Sequence, residues 1–240
     1  MKSMTKIMVS GVLAISLVLV SCQKEETEND FNIENAQEES FVSQTGNSDS
    51  EIEITSDILS PLLHVQYDGS MSREEAQLAF DAEVAKFMKS DGEASKSSAL
   101  LYFEVHTYTG TASGNETDGR ATLTVDFRTD RGMYRAQSDL NNPIKNDREK
   151  GVWDFYSFRK HMPFSANWVE LKNATLALQG SDCWFVKSLV IYVPSDKQRS
   201  AASGYSFAWL YPNTWLCSSN SFFWDYYRND NMNGGRLTFN

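Results

Sequence analysis

The chain has 240 residues, 41% of them hydrophobic, three cysteines and a formal net charge of −10. That charge is unevenly placed: residues 23–58 hold eleven acids and one lysine, whereas 59–240 hold 21 acids and 19 bases. The near-neutral remainder has no basic patch to neutralise phosphates, which excludes nucleic acid as a partner, and no segment after the first 20 residues is apolar enough to span a bilayer.

Lys2 and Lys6 precede an apolar run over 7–20 that ends in Leu19-Val20-Ser21-Cys22. The run is about 14 residues, shorter than the roughly 20 of a membrane-spanning helix, so it reads as a secretory leader over 1–21; an uncleaved signal anchor is the alternative. The last four residues resemble the lipobox of bacterial lipoproteins, whose cysteine is acylated and becomes the new N-terminus. The resemblance implies lipidation at Cys22 and anchoring in the bacterial outer membrane, since two or more acyl chains hold a protein stably. Gln23-Lys24-Glu25-Glu26 resembles the export tag of surface-exposed lipoproteins and equally suits the acidic start of a linker. Residues 22–57 are polar, acidic and poor in apolar groups, the composition of a disordered stalk. As a flexible coil it reaches roughly 30 Å.

The lead-in segment 58–97 contains one amphipathic helix. Ser72-Arg73-Glu74-Glu75 has capping-box spacing, and Ala76, Phe80, Val84 and Phe87 recur at helical spacing, with Ala79 and Met88 beside them. The expected helix spans about 72–89 and covers one edge or end of the following domain, or pairs with the apolar stretch 58–65. From 98 to 240 the period is two. Strand-like runs fall at 101–109, 120–128, 133–140, 154–159, 168–178, 184–193, 205–215 and 221–228. In the first, Phe103 and Val105 lie on one side and Glu104 and His106 on the other; in the second, Ala121, Leu123, Val125 and Phe127 alternate with Arg120, Thr122, Thr124, Asp126 and Arg128, a half-buried strand with one wet face. About eight short strands with turn signals between them define a mainly β domain, an antiparallel sandwich.

Lipid at Cys22 leaves Cys183 and Cys217, a pair that an oxidising compartment would join. If 184–193 and 205–215 form a hairpin, its register sets these two cysteines against one another at the open end, within disulfide reach. Two buried free thiols are the alternative.

Five segments in order resemble the PLAT (lipoxygenase-homology) β-sandwich: Tyr102 to Gly110 with its closing Thr-Gly, Thr117-Asp118 before the strand 120–127, Glu149-Lys150-Gly151-Val152-Trp153-Asp154-Phe155-Tyr156, Trp184 to Ile191, and Phe207 with Trp215-Leu216. Glu116 departs from the family's glycine, the Phe207-to-Trp215 spacing is stretched, and 218–240 lies outside the pattern. The resemblance implies a non-catalytic module that docks on membranes or proteins, with calcium as the one possible cofactor. Oxygens for calcium would come from Asn115 and Asp118 in one loop and Asp182 in another; the bland role for both aspartates is turn capping.

The aromatic-rich stretch 207–227 supplies core and strand pairing, or else a sugar platform or membrane-dipping edge, with Trp153 and Trp209 as the candidate ligand-binding rings. His64, His106 and His161 lack metal-ligand spacing, and no nucleophile elbow or phosphate loop is present. The expected function is a membrane-anchored interaction module for an unidentified protein, glycan or membrane. A carbohydrate-binding lipoprotein is the alternative and a hydrolase the remote one.

Overall fold

The computed structural model describes residues 58–90, 100–141, 147–162, 165–220 and 222–240. The expectations for the leader, Cys22 and the stalk fall outside them. In chain order the first elements are β1 (Ile58–Leu59), β2 (Leu63–Asp68), α1 (Arg73–Ser90), β3 (Leu100–Thr109), β4 (Arg120–Thr129) and β5 (Gly132–Asp139). There follow β6 (Val152–His161), β7 (Trp168–Gln179), β8 (Cys183–Pro194), β9 (Ala202–Leu210), β10 (Thr214–Cys217), β11 (Trp224–Asn229) and β12 (Leu237–Phe239).

The strands build the expected mainly β sandwich. One layer (sheet A) runs β1-β5-β4-β7, with β11 and β12 on the far edge of β7. The other (sheet B) runs β2-β6-β3-β8-β9, with β10 also on β8. The layers join at one margin, where β9 pairs with β8 over 205–210 and with β12 over 202–204. All pairings are antiparallel except the two-residue match of β1 with β5. Alternation makes the core: Leu101, Phe103 and Val105 from β3 meet Leu123, Val125 and Phe127 from β4, all fully buried.

The strand count exceeds the expected eight for two reasons. The run 205–215 breaks at 211–213, where Asn213 takes a left-handed conformation (φ 43°), so it forms β9 and β10. The short pairings β1, β2 and β12 were not expected as strands. In β2, Leu63, Val65 and Tyr67 alternate with His64 and Gln66.

The helix starts and ends within a residue of expectation. Ser72 is its cap: the Ser72 N–H donates to Glu75 Oε2 at 2.8 Å and the Glu75 N–H to Ser72 Oγ at 3.2 Å. Its stripe Ala76, Phe80 and Val84 packs on Tyr102, Trp153 and Phe155, with Leu63, Val65, Tyr67, Met88 and Tyr108 at the margin. The helix therefore covers the outer face of sheet B at β2, β6 and β3, and takes the stretch around 63–65 with it.

That placement covers the polar side of β3: Glu104 and His106 are fully buried. Burying charge requires partners, and Glu104 has several. It accepts from Tyr102 Oη (2.9 Å), Gln77 Nε2 (3.0 Å) and Lys197 Nζ (2.6 Å), and lies 3.3 Å from His106 Nε2. Lys197 also donates to Asp81. Burial works against the ionised carboxyl, but His106 and Lys197 outweigh it and hold Glu104 down at about 2. Burial pushes the His106 imidazole below its ordinary value, with Glu104 opposing.

A carboxyl depressed from 4.5 to about 2 on folding adds stability that is full above its unfolded value. The urea midpoint of the wild-type chain should fall as pH drops from 4.5 toward 2. Glu104→Gln should cost about 3 kcal/mol at pH 7 by leaving buried charge unpaired, and its midpoint should fall less steeply across that acid window. Urea titrations at each pH check both.

Candidate functional site

The end of the sandwich at the β7–β8 turn is the best-defined surface. Cys183 faces Cys217 in the β8–β10 ladder, and the two form a disulfide with Cα atoms 4.2 Å apart. The hairpin argument thus holds at β10, although β9 pairs one residue out of the expected step (Val190 with Trp209) and the 211–213 turn absorbs the difference. The Asp225 carboxylate accepts the Cys217 N–H at 2.7 Å, which ties the start of β11 to the disulfide.

Between them lie Ser218, Asn220, Phe222 and Phe223. The Ser218 hydroxyl donates to the carbonyls of Asn220 (2.7 Å) and Phe223, and the Phe222 N–H donates to Asn220 Oδ1 at 2.8 Å. Such side-chain turns fix the backbone independently of the core, and they leave Phe222 84% and Phe223 62% exposed. Trp215, Trp224 and Tyr226 are exposed as well, and Trp215 leans on Phe185 with ring centroids 5.2 Å apart. Isolated exposed apolar residues are ordinary; Phe222, Phe223 and Trp224 are exposed at three consecutive positions, and grouped exposure of this kind marks an interaction surface.

The loops beneath are rigidly held. Arg148, nearly fully buried, donates to the carbonyls of Leu140 and Gly119 (2.8 Å each), to Asn141 Oδ1 (3.1 Å) and to Asp147 Oδ2 (3.0 Å). Its guanidinium lies 5.8 Å from the centroid of the buried Trp184 ring, which donates from Nε1 to Thr109 Oγ1 at 2.9 Å.

The sequence-derived site residues fare differently. Loops 110–119 and 179–185 do meet, through the Phe185 N–H donating to the Asn115 carbonyl at 3.1 Å. Asn115 is buried and its Oδ1 has no hydrogen-bond partner. Asp118 is exposed, and Asp182, also exposed, accepts the N–H of Cys183 at 2.8 Å, a turn-capping role. Among the described residues no three His, Cys, Asp or Glu side chains converge on a metal-sized position. Calcium takes six to eight oxygens; of the three expected ligands, Asp182 caps its own turn, Asp118 is exposed and Asn115 is buried.

Trp153 is a packing residue: it is 7% exposed, lies under α1 and packs on Tyr108 at 4.7 Å. Its ring therefore does not serve as an open platform. Trp209 is half-buried on the outer face of β9, stacked on Tyr211 (5.4 Å), with Arg73 of α1 5.2 Å from its centroid.

Sequence reasoning placed Phe222 and Phe223 within an aromatic stretch without singling them out. The available signal was three consecutive aromatics, Phe222-Phe223-Trp224, which an alternating strand cannot turn to one side.

The sequence matches no protein-family model and no curated protein. Among solved structures, the chain is similar to the alpha-toxin of Clostridium perfringens from avian strain SWCP, at a TM-score of 0.37 and 16% identity. That match covers 66% of this chain and 43% of the toxin chain, so it spans less than half the length of the toxin.

The disulfide closes a separation of 34 residues, worth about 3–4 kcal/mol in the chain-entropy model. Reduction should lower the melting temperature by roughly 10 °C for a domain of this size. A Cys183→Ser/Cys217→Ser chain should melt at the reduced value with or without reductant; thermal melts of both proteins check this.

Proposed function

We propose that the protein is a surface lipoprotein of the bacterial outer membrane, held by acylated Cys22, whose PLAT-like β-sandwich is a non-catalytic module that docks on a bilayer through its aromatic end. The observation that carries this reading is the exposure of Trp215, Phe222, Phe223, Trp224 and Tyr226, five large aromatics within twelve residues of sequence. Tryptophan and tyrosine combine an apolar body with a polar edge and favour the headgroup level of membranes. The group stands on a loop whose turn is fixed by Ser218 and Asn220, so it need not be ordered on docking.

A bilayer is the occupant favoured by the tether. A stalk over 22–57 with a reach of roughly 30 Å would keep the domain at high effective concentration beside lipid. The PLAT-like reading is supported by where the five resembling segments lie: on β3, at the entry to β4, on β6, on β8 and across β9–β10. Docking in this reading is independent of calcium, because it rests on apolar contact of the aromatic end and not on Asn115, Asp118 and Asp182.

The test is flotation with phosphatidylcholine vesicles of the chain from residue 22 onward carrying Cys22→Ser, so that only the domain can hold lipid. The protein should float equally with calcium and with chelator. Phe222→Ser/Phe223→Ser should reduce the bound fraction at least 10-fold, since each buried phenyl ring is worth roughly 1.5–3 kcal/mol, and should leave the melting temperature unchanged. No flotation, or equal flotation of the double variant, contradicts the reading.

A further inference from the structure

The outer face of sheet A carries a polar hollow that the docking reading does not use. Cross-strand register lays its residues out in rows over β5, β4, β7 and β11. One row is Gln137, Thr124, Thr175 and Arg228; the next is Arg135, Asp126 and Asn173. On the other side lies a row of Asp139, Thr122, Ala177 and Tyr226. Side chains at the centre are short and those at the margins are long, which is why the face is dished. The hollow measures about 220 Å³ and is lined by Thr124, Asp126, Arg135, Asn173, Thr175 and Arg228.

Its polar groups are already in place. Asp126, nearly fully buried, accepts from Arg135 Nε (2.7 Å) and Nη2 (2.9 Å) and from Asn173 Nδ2 (3.2 Å). Such bidentate pairs are strong and fix orientation. Hydrogen bonding to Asp126 raises the Arg135 pKa against the opposing effect of burial, so the guanidinium is a permanent donor, with its other edge turned away from Asp126. Arg228 stands exposed at the opposite margin, paired with Asp230. Thr124 and Thr175 add hydroxyls that both donate and accept.

Charge balance decides the ligand class. Asp126 offsets Arg135 and Asp230 offsets Arg228, so the hollow presents donors and acceptors in a fixed pattern without net charge. An anion would meet two arginines that are already neutralised. A neutral sugar ring matches better, because each of its hydroxyls both donates and accepts. Tyr226, in the neighbouring row on the same face, is 63% exposed and offers an aromatic surface for the ring's apolar side. The volume is below the roughly 300–1,000 Å³ of sites for drug-sized ligands, which suits a subsite for one ring of a longer chain.

We propose that this hollow on β4, β5, β7 and β11 binds a neutral saccharide, with Arg135 and Asp126 as the fixed polar pair and Arg228 as the margin contact. This moves sugar recognition from Trp153 and Trp209 to the opposite layer. Tyr226 borders both surfaces; the hollow's own lining shares no residue with the aromatic end.

The test is affinity gel electrophoresis of the full chain in a sugar-free zwitterionic detergent. The gels carry amylose, mixed-linkage β-glucan, galactomannan or dextran, with polygalacturonate as the anionic control. At least one neutral polysaccharide should retard the protein. Arg228→Ala, which removes an exposed side chain, and Thr175→Trp, which fills the hollow, should each weaken that retardation at least 10-fold. Phe222→Ser/Phe223→Ser should leave it unchanged, which separates this site from the aromatic end. The proposal is overturned by retardation in none of the neutral gels, by retardation in polygalacturonate alone, or by retardation that both hollow variants retain.

Discussion

Both surfaces depend on one ladder, the antiparallel pairing of β11 with β7. A sandwich strand with an open edge is exposed to pairing with other chains, and β7 would have such an edge if the chain stopped after β10. The segment after residue 218 covers it. Trp224 to Asn229 pair with Gln179 to Ala174, the Met232 N–H then donates to the Lys172 carbonyl at 2.8 Å, and Leu237 pairs with Val169. The same segment reaches the other layer, through the Phe207 N–H to Gly234 (2.6 Å) and Ser206 Oγ to the Gly235 carbonyl (2.9 Å). It carries Trp224 and Tyr226 to the aromatic end and Arg228 to the hollow. Cys183–Cys217, with Asp225 on the Cys217 N–H, sets where the ladder begins.

The second constraint is polar and lies under α1. Placing Glu104 and His106 beneath a helix costs desolvation, which the donors Tyr102, Gln77 and Lys197 offset. His106 also packs on Phe155, with ring centroids 3.8 Å apart, so the network is continuous with apolar contact. Lys197 comes from the loop after β8 and Gln77 from the helix. The network thus fixes α1 against sheet B from two directions. Its contribution is to position one helix as much as to add stability.

What could be read from the sequence follows the range of each interaction. The helix was legible because its signals are local: Ser72 and Glu75 are three residues apart, and Phe80 and Val84 four. Period-two runs located β3 to β8 and β11 within a few residues, and the cysteine pair followed from hairpin register. Burial by a distant element was not legible. The alternation in β3 separates Glu104 and His106 from Phe103 and Val105 without saying what covers them, and only α1 over β3 buries that side; Trp153, attractive as an isolated ring, is buried for the same reason. The hollow was hidden more deeply. Arg135, Asp126 and Asn173 come from three strands, and Arg228 from a fourth that lies beyond the PLAT-like pattern. Their proximity rests on β4 meeting β7 and β7 meeting β11, where the hollow's paired residues lie 47 to 53 positions apart (Asp126 with Asn173, Thr175 with Arg228) and no local signal specifies them.

If residues 224–239 close the sandwich as an integral part set by the disulfide, amide hydrogen exchange will show it. The paired amides of 224–229 should exchange far more slowly than an unstructured segment, and their protection should fall on reduction of Cys183–Cys217 while that of β4 persists. Rapid exchange throughout 224–239 in the oxidised protein would contradict it, because neither the aromatic end nor the hollow could then keep its geometry.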